Sequence, residues 1–131
     1  MARRKTVLLV TQPGLIRNVT SAGLTMYGYD VLTAEYDEAA ERLRANRHID
    51  VVVIDADLAD KDHGISVARI AREAIPKIDV VYTSRMPHRV AAALQEAGAP
   101  VLRDPYHPHQ LADVIAHLRS RPTEAPDASA A

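Results

Sequence analysis

The stretch that decides the fold is residues 50–64, DVVVIDADLADKDHG. After Asp50 it has four consecutive β-branched apolar residues at positions 51–54. Such an unbroken run is typical of a central parallel strand that helices cover on both faces. The apolar pattern ends at Asp55. In open parallel sheets the ligand crevice lies outside the carboxyl ends of the strands, so Asp55 stands where chemistry is expected.

Strand and helix patterns alternate on both sides of this stretch. Further strands are predicted at residues 6–10, 31–34, 78–82 and 101–102. Helices are predicted at residues 15–27, from 37 onward, at 65–75, at 87–97 and from 108 onward. The first of these rests on apolar residues at three- and four-residue spacing, namely Leu15, Val19, Ala22 and Met26. Five βα units predict an α/β fold, a flavodoxin-like doubly wound parallel sheet with strand order 2-1-3-4-5.

Composition limits the classes of function. The chain has 131 residues, 47% of them hydrophobic, which predicts one globular domain at residues 5–119 and a disordered tail at 120–131. Sixteen basic and seventeen acidic residues give a net charge of -1, so we expect neither nucleic acid nor a membrane as partner. Cysteine is absent, and no apolar run is long enough for a signal peptide or a membrane span. We therefore expect a cytoplasmic protein.

The order of elements resembles the receiver domain of two-component response regulators. The resemblance rests on VVVID at the end of the third strand, Thr83 at the end of the fourth, and Pro105 followed by Tyr106 after the fifth. It implies that Asp55 accepts a phosphoryl group from a histidine kinase and that Thr83 hydrogen-bonds that group. It also implies that Asp57 offers its backbone carbonyl to Mg²⁺, and that the Asp104-Pro105 peptide bond is cis.

Several pocket positions depart from the family pattern. In the family an acidic pair after the first strand holds Mg²⁺, and the corresponding residues here are Thr11 and Gln12. The family's lysine before the fifth-strand proline corresponds to Asp104. Two ionised carboxylates at 55 and 104, taken as ~7 Å apart at a dielectric of ~20, would repel by roughly 2.4 kcal/mol. The aromatic switch position falls on Val101. We therefore expect no obligatory cofactor, with Mg²⁺ bound weakly if at all, Asp55 and Asp57 being its weak candidate ligands.

The predicted function is that of a single-domain receiver-like signalling protein, not an enzyme, that acts through partner binding. Its partner would be a histidine kinase or another signalling protein, with phosphorylation at Asp55 poor or absent. The resemblance implies a partner or homodimer surface on the fourth helix, fifth strand and fifth helix, including Val101, Arg103 and Tyr106. Two alternatives stay open: a receiver that retains phosphorylation at Asp55, and a small flavodoxin-like enzyme or ligand-binding protein.

Two smaller features have ordinary interpretations. Arg85 follows Thr83 closely enough to reach the pocket and replace the missing cation, but a solvated loop arginine is the simpler interpretation. His107 and His109 flank Pro108 at a helix start. They lack a third ligand at a recognisable spacing, so we interpret them as a solvated helix N-terminus and not as a metal site.

Overall fold

The computed structural model describes residues 4–57, 61–87 and 99–120, with the backbone alone at 61–65 and 119–120. Five parallel strands form one sheet in the order β2-β1-β3-β4-β5. The strands are β1 (Thr6–Val10), β2 (Asp30–Ala34), β3 (Val51–Asp55), β4 (Asp79–Ser84) and β5 (Val101–Arg103). The helices are α1 (Leu15–Met26), α2 (Tyr36–Ala45), α3 (Lys61–Ala74) and a C-terminal helix (Pro108–Ser120). The predicted fold class and strand order are confirmed.

The core has two halves because successive strand residues point to opposite faces of the sheet. Leu8 and Val52 belong to the half that includes Ala39 and Leu43 of α2. The residues beside them in sequence belong to the other half, which α1 and the C-terminal helix cover, through Leu24, Leu111, Ile115 and Leu118. The central strand is buried at every position from 51 to 54. Its continuous β-branched run therefore fits a strand covered on both faces, as predicted.

Helix α1 is present where predicted, but the apolar stripe that predicted it faces solvent. Leu15 is 77% exposed and Met26 87% exposed, whereas Thr20 and Leu24 are the buried residues of the helix. Gly23 lies against the C-terminal helix, where an added Cβ would sit 2.3 Å from Cβ of Pro108. The close approach at Gly23 turns the Thr20 and Leu24 side of α1 inward. Periodicity alone could not choose between two faces that both carry apolar residues.

Other boundaries shift by a few residues. Helix α2 begins at Tyr36, and the backbone N–H of its N-cap residue Glu35 donates to the Glu38 side chain at 3.0 Å. Helix α3 begins at Lys61, four residues before the prediction, so Gly64 is helical. The C-terminal helix extends through Ser120, the first residue of the predicted tail. The predicted helix at 87–97 and the rest of the tail lie almost entirely outside the described residues.

Candidate functional site

Three strands bring polar side chains to the carboxyl edge of the sheet. Asp55 ends β3 and pairs in register with Thr83 of β4. Ser84 then pairs with Arg103 of β5, and Asp104 follows directly. Because the strands are parallel, these ends meet at one edge, where the crevice of a doubly wound sheet lies. This edge therefore brings together Asp55, Thr83 and Asp104, three of the positions that the sequence singled out.

Three aspartates meet in this crevice. Asp55, Asp57 and Asp104 each place a carboxylate oxygen so that the three atoms lie within 4.8 Å of one another. Asp55 and Asp104 are half-buried, and Asp57 is exposed. In the part of the chain that the structure describes, this is the one group of three or more side chains that could hold a metal ion.

The surroundings raise the pKa values of two of these carboxyl groups, Asp55 and Asp104. Burial raises the pKa of Asp104 to about 6, and the negative charges of Asp55 and Asp57 add to the rise while Arg85 opposes it. Burial also raises the pKa of Asp55, against the lowering effect of the Asp57 backbone N–H that hydrogen-bonds it. Both shifts have the sign expected for crowded, partly desolvated carboxylates. The pocket therefore disfavours further negative charge.

The Asp57 side chain is tied to the end of β4. Its Oδ1 accepts a hydrogen bond from the Ser84 hydroxyl at 2.8 Å, and its Oδ2 accepts one from the Arg85 backbone N–H at 2.6 Å. The Asp57 backbone N–H in turn donates to Asp55 Oδ1 at 3.0 Å. The sequence singled out Asp57 for its backbone carbonyl and as a weak candidate ligand of a cation, but it did not reveal the contact with Ser84. The signal for Ser84 was its place directly after Thr83 at a strand end, where a small hydroxyl can reach the crevice.

A threonine–arginine contact occupies the end of β1. Thr11 is buried, and its carbonyl accepts a hydrogen bond from Arg17 Nη2 at 2.7 Å. Arg17 Nε also donates to the Thr11 hydroxyl at 3.4 Å. Gln12 is exposed. Neither side chain brings negative charge to the crevice, as predicted, and Arg17 is a local partner that the sequence pattern did not reveal.

Thr83 and Tyr36 support the backbone around Asp55. Thr83 is 2% exposed, and its carbonyl accepts a hydrogen bond from the Ala56 N–H at 2.9 Å. The Tyr36 hydroxyl, from the first turn of α2, donates to the Asp55 carbonyl. Asp55 is thus held through its backbone as well as through its carboxylate. Tyr36 was another residue that sequence reasoning missed, because its contact spans two elements.

The predicted partner-surface residues have different environments. Arg103 is exposed, Val101 is half-buried against the core, and Tyr106 is half-buried with its hydroxyl 3.4 Å from the Thr20 hydroxyl of α1. The Asp104-Pro105 bond that carries the chain from β5 toward the C-terminal helix is cis, which confirms the prediction. Of this predicted surface, residues 88–98 lie outside the described part of the chain.

His107 and His109 lie at the start of the C-terminal helix and contact each other. Their Nδ1 atoms are 2.7 Å apart, and His107 Nδ1 lies 3.2 Å from the His109 backbone N–H that donates to it. The His107 N–H donates to the Gln110 side chain at 2.7 Å. These contacts satisfy backbone groups at a helix N-terminus, and within residues 4–57, 61–87 and 99–120 no third ligand joins the two rings.

The crevice differs from the Mg²⁺ site that the receiver resemblance implies. Carboxylate oxygens are suitable ligands for a hard cation, but the Asp57 carboxylate is already bound by Ser84 and Arg85. Thr11 is engaged with Arg17 and carries no charge. Among the helices that the structure describes, none is long and apolar enough to cross a membrane.

The chain was compared with protein families, curated proteins and solved structures, and only solved structures are similar to it. No protein-family model matches the sequence, and no curated protein matches it. A response regulator receiver protein from Sinorhizobium medicae is similar in structure, with a TM-score of 0.78 and 28% identity over 88% of this chain and 94% of its own. A response regulator from Thermotoga maritima has a TM-score of 0.77 and 22% identity, over 90% and 99% of the two chains.

A third similar structure is that of CheY6 from R. sphaeroides in complex with the P1 domain of CheA3. Its TM-score is 0.72 at 22% identity, covering 92% of this chain and 100% of the matched one. These matches confirm the CheY-like fold and the predicted resemblance to response-regulator receivers.

Proposed function

We propose that this chain, a receiver domain of the response-regulator type, acts by binding a signalling partner and that Asp55 is a poor phosphoacceptor. The observation that carries the proposal is the position of Asp104. Its carboxylate shares the crevice with those of Asp55 and Asp57, with oxygens within 4.8 Å. The receiver resemblance implies a lysine at this position, so the pocket has a negative charge where a phosphoryl group would meet a positive one.

The electrostatics of the crevice supports the proposal that phosphoryl transfer to Asp55 is inefficient. Two unit charges ~5 Å apart at an effective dielectric of ~20 interact by roughly 3 kcal/mol. Phosphoryl transfer depends mainly on positioning and on neutralising the charge of the transferred group. Here the carboxylates of Asp57 and Asp104 add negative charge around the transferred group instead of neutralising it, and Arg85 offsets only part of that charge. The pocket is thus arranged to repel the group that a receiver normally accepts.

A bound cation would have to reverse this repulsion, and the proposal includes weak Mg²⁺ binding. Thr11 and Gln12 supply no carboxylates at the end of β1, and Arg17 adds a positive charge beside Thr11. Loss of two anionic ligands is expected to weaken Mg²⁺ binding at least tenfold relative to a conventional receiver, about 1.4 kcal/mol or more. The domain would then depend on its surface rather than on its phosphorylation state.

An exposed apolar surface supports the partner-binding role. One helix carries large apolar side chains that solvent reaches, at Leu15, Ile16, Val19 and Met26, with Tyr27 directly after it. Contiguous exposed apolar patches commonly mark interaction sites. The neighbour CheY6 is known in complex with the P1 domain of CheA3. We propose by analogy that a phosphotransfer or dimerisation domain of a histidine kinase contacts α1 here, and that any homodimer uses β5 and the C-terminal helix.

The phosphorylation claim is tested by intact mass. The protein is incubated with acetyl phosphate and Mg²⁺, and Asp55→Asn is the control that lacks the acceptor carboxylate. We expect no phosphorylated species in either protein. A stable mass increase of one phosphoryl group in the wild type that is lost in Asp55→Asn would instead support the alternative of a phosphorylation-competent receiver.

The partner-binding claim is tested separately. Phosphotransfer and dimerisation domains of histidine kinases from the source organism are titrated by calorimetry into wild type, Val19→Asp and Asp55→Asn. A charge placed at the half-exposed Val19 should weaken binding at least tenfold, while Asp55→Asn should leave it unchanged. Equal binding by all three proteins would exclude α1 as the contact, and failure of every domain to bind the wild type would exclude a histidine-kinase partner.

A further inference from the structure

The end of β4 presents two hydrogen-bond donors to the crevice. Ser84 is fully buried, and its hydroxyl points at the Asp57 carboxylate, to which it donates at 2.8 Å. The next residue, Arg85, donates its backbone N–H to the other oxygen of the same carboxylate at 2.6 Å. The Ser84 Oγ also accepts a hydrogen bond from the Met86 N–H at 3.0 Å, which orients the hydroxyl proton toward Asp57. Both donors therefore converge on one anion.

Convergent hydroxyl and backbone N–H donors are the usual elements of an oxyanion site. Successive backbone N–H groups in a turn form a concave site for anions, and hydrogen bonds to ionised acceptors are short and strong. The Arg85 N–H lies 2.6 Å from the Asp57 carboxylate, which is short, and the Ser84 hydroxyl lies at an ordinary 2.8 Å. The Arg85 side chain adds positive charge, since it opposes the rise in the pKa values of Asp55 and Asp104. The end of β4 thus has the chemistry of a site for a tetrahedral oxyanion.

We propose that the Ser84 hydroxyl and the Arg85 N–H form an oxyanion-binding site that the Asp57 carboxylate occupies from within the same chain. Asp57 reaches it because its own N–H is bound to Asp55 Oδ1 at 3.0 Å, which fixes the turn after β3. The occupying carboxylate holds that turn against the end of β4. Removing it opens a site for a free oxyanion such as sulfate or inorganic phosphate.

The occupied site has a consequence for Asp55, and this consequence rests on the proposed function. A phosphoryl group on Asp55 would extend from a carboxylate that has an oxygen within 4.8 Å of an Asp57 carboxylate oxygen. The hydrogen-bond donors of Ser84 and Arg85 would already be bound to the Asp57 carboxylate. Asp57 is then an autoinhibitory contact, which adds to the repulsion by Asp104.

The test compares two variants that each remove one negative charge from the crevice. Asp57→Ala frees the two donors, whereas Asp104→Asn leaves them bound to Asp57. Sodium sulfate is titrated into ¹⁵N-labelled protein, and the amide resonance of Arg85 is followed, with ionic strength held constant by sodium chloride. We expect Asp57→Ala to bind sulfate at least tenfold more tightly than both the wild type and Asp104→Asn. Adding Ser84→Ala to Asp57→Ala should remove most of this gain.

Two results would overturn the proposal. Equal gains in Asp57→Ala and Asp104→Asn would mean that general charge reduction, not the freed donors, attracts the anion. Absence of sulfate binding by a folded Asp57→Ala would mean that the donors form no anion site.

A second measurement needs no variant, in case Asp57→Ala does not fold. In wild-type protein, a scalar coupling across the hydrogen bond is expected between the Arg85 amide nitrogen and the Asp57 carboxylate carbon. Absence of that coupling would show that Asp57 does not occupy the donors in solution. Neither measurement involves a phosphoryl donor, Mg²⁺ or a kinase, so its outcome is independent of whether Asp55 is phosphorylated.

Discussion

Asp55 and Asp104 lie on opposite sides of β4 in the strand order, and their carboxylate oxygens come within 4.8 Å of each other at the sheet edge. Because burial and its acidic neighbours raise the pKa of Asp104 to about 6, this pair changes its charge within the ordinary working range of pH. We expect Asp55→Asn to lower the pKa of Asp104 but to leave it above 3.8, since burial is the larger cause. Carboxyl ¹³C shifts followed from pH 3 to pH 8 check this, and an unchanged Asp104 titration would contradict the pairing.

The same shift predicts how stability depends on pH. The folded state holds the Asp104 proton more tightly than the unfolded chain, so this group's contribution to folding falls as pH rises from about 4 to about 6. Asp104→Asn should therefore raise the free energy of unfolding at pH 7 by about 1 kcal/mol, a value reduced for solvent screening at a half-buried site. The gain should fade at pH 4. Urea unfolding at both pH values tests it, with Asp113→Asn on the exposed side of the C-terminal helix as the control for charge loss.

Mg²⁺ affinity should reflect the missing acidic pair. With Thr11 engaged by Arg17 and Gln12 uncharged, we expect no saturation of the Asp55 and Asp57 amide resonances below about 1 mM Mg²⁺. Chelator-treated protein should have the same amide spectrum and the same unfolding midpoint as untreated protein. Sub-millimolar saturation at these two residues would show that the three aspartates form a cation site of their own.

Restoring the charges should restore the pocket's chemistry if the rest of the scaffold is intact. Thr11→Asp, Gln12→Asp and Asp104→Lys together rebuild the cation ligands and the positive charge that phosphoryl transfer requires. We expect the triple variant to bind beryllofluoride in a Mg²⁺-dependent manner by calorimetry, while Asp104→Lys alone does not. If the folded triple variant fails to bind, adding Asp57→Ala tests whether the occupied donors at Ser84 and Arg85 are the remaining obstacle.

Gly23 is required by the contact between α1 and the C-terminal helix. An added Cβ would lie 2.3 Å from Cβ and 2.7 Å from Cγ of Pro108, a ring that cannot rotate away. Gly23→Ala should gain up to ~1 kcal/mol of helix propensity but lose more through overlap, for a net loss of about 1 to 2 kcal/mol. Chemical denaturation measures it. Asn18→Ala, at an exposed position of the same helix, should instead be neutral or slightly stabilising.

The exposed stripe of α1 should contribute little to folding. Leu24 is fully buried whereas Met26 is 87% exposed, although both lie in the last turn of the helix. Leu24→Ala should cost about 2 to 4 kcal/mol, and Met26→Ala should change stability by less than ~0.5 kcal/mol. A comparable loss for both substitutions would mean that Met26 packs against the domain in solution and is unavailable to a partner.

Local sequence was sufficient for most of the fold. The β-branched run at 51–54 predicted a strand buried on both faces because only such a strand tolerates apolar side chains in both directions. The alternating strand and helix patterns then required parallel crossovers, and the flavodoxin-like doubly wound fold that they predicted has the strand order 2-1-3-4-5. The positions of Asp55, Thr83 and Asp104 at one edge also followed, since parallel strands align their carboxyl ends.

What the sequence by itself determined is therefore the architecture and the charge of the crevice. Only the tertiary structure decided which groups bind one another there. Three contacts show this, and in each of them a side chain from a loop or from the first turns of a helix reaches another element. They join Asp57 to Ser84 and Arg85, Arg17 to Thr11, and Tyr36 to Asp55. The face of α1 that points to the core was decided in the same way, by the close approach of Gly23 to Pro108. Periodicity describes one element at a time, whereas these contacts depend on how separate elements meet in space.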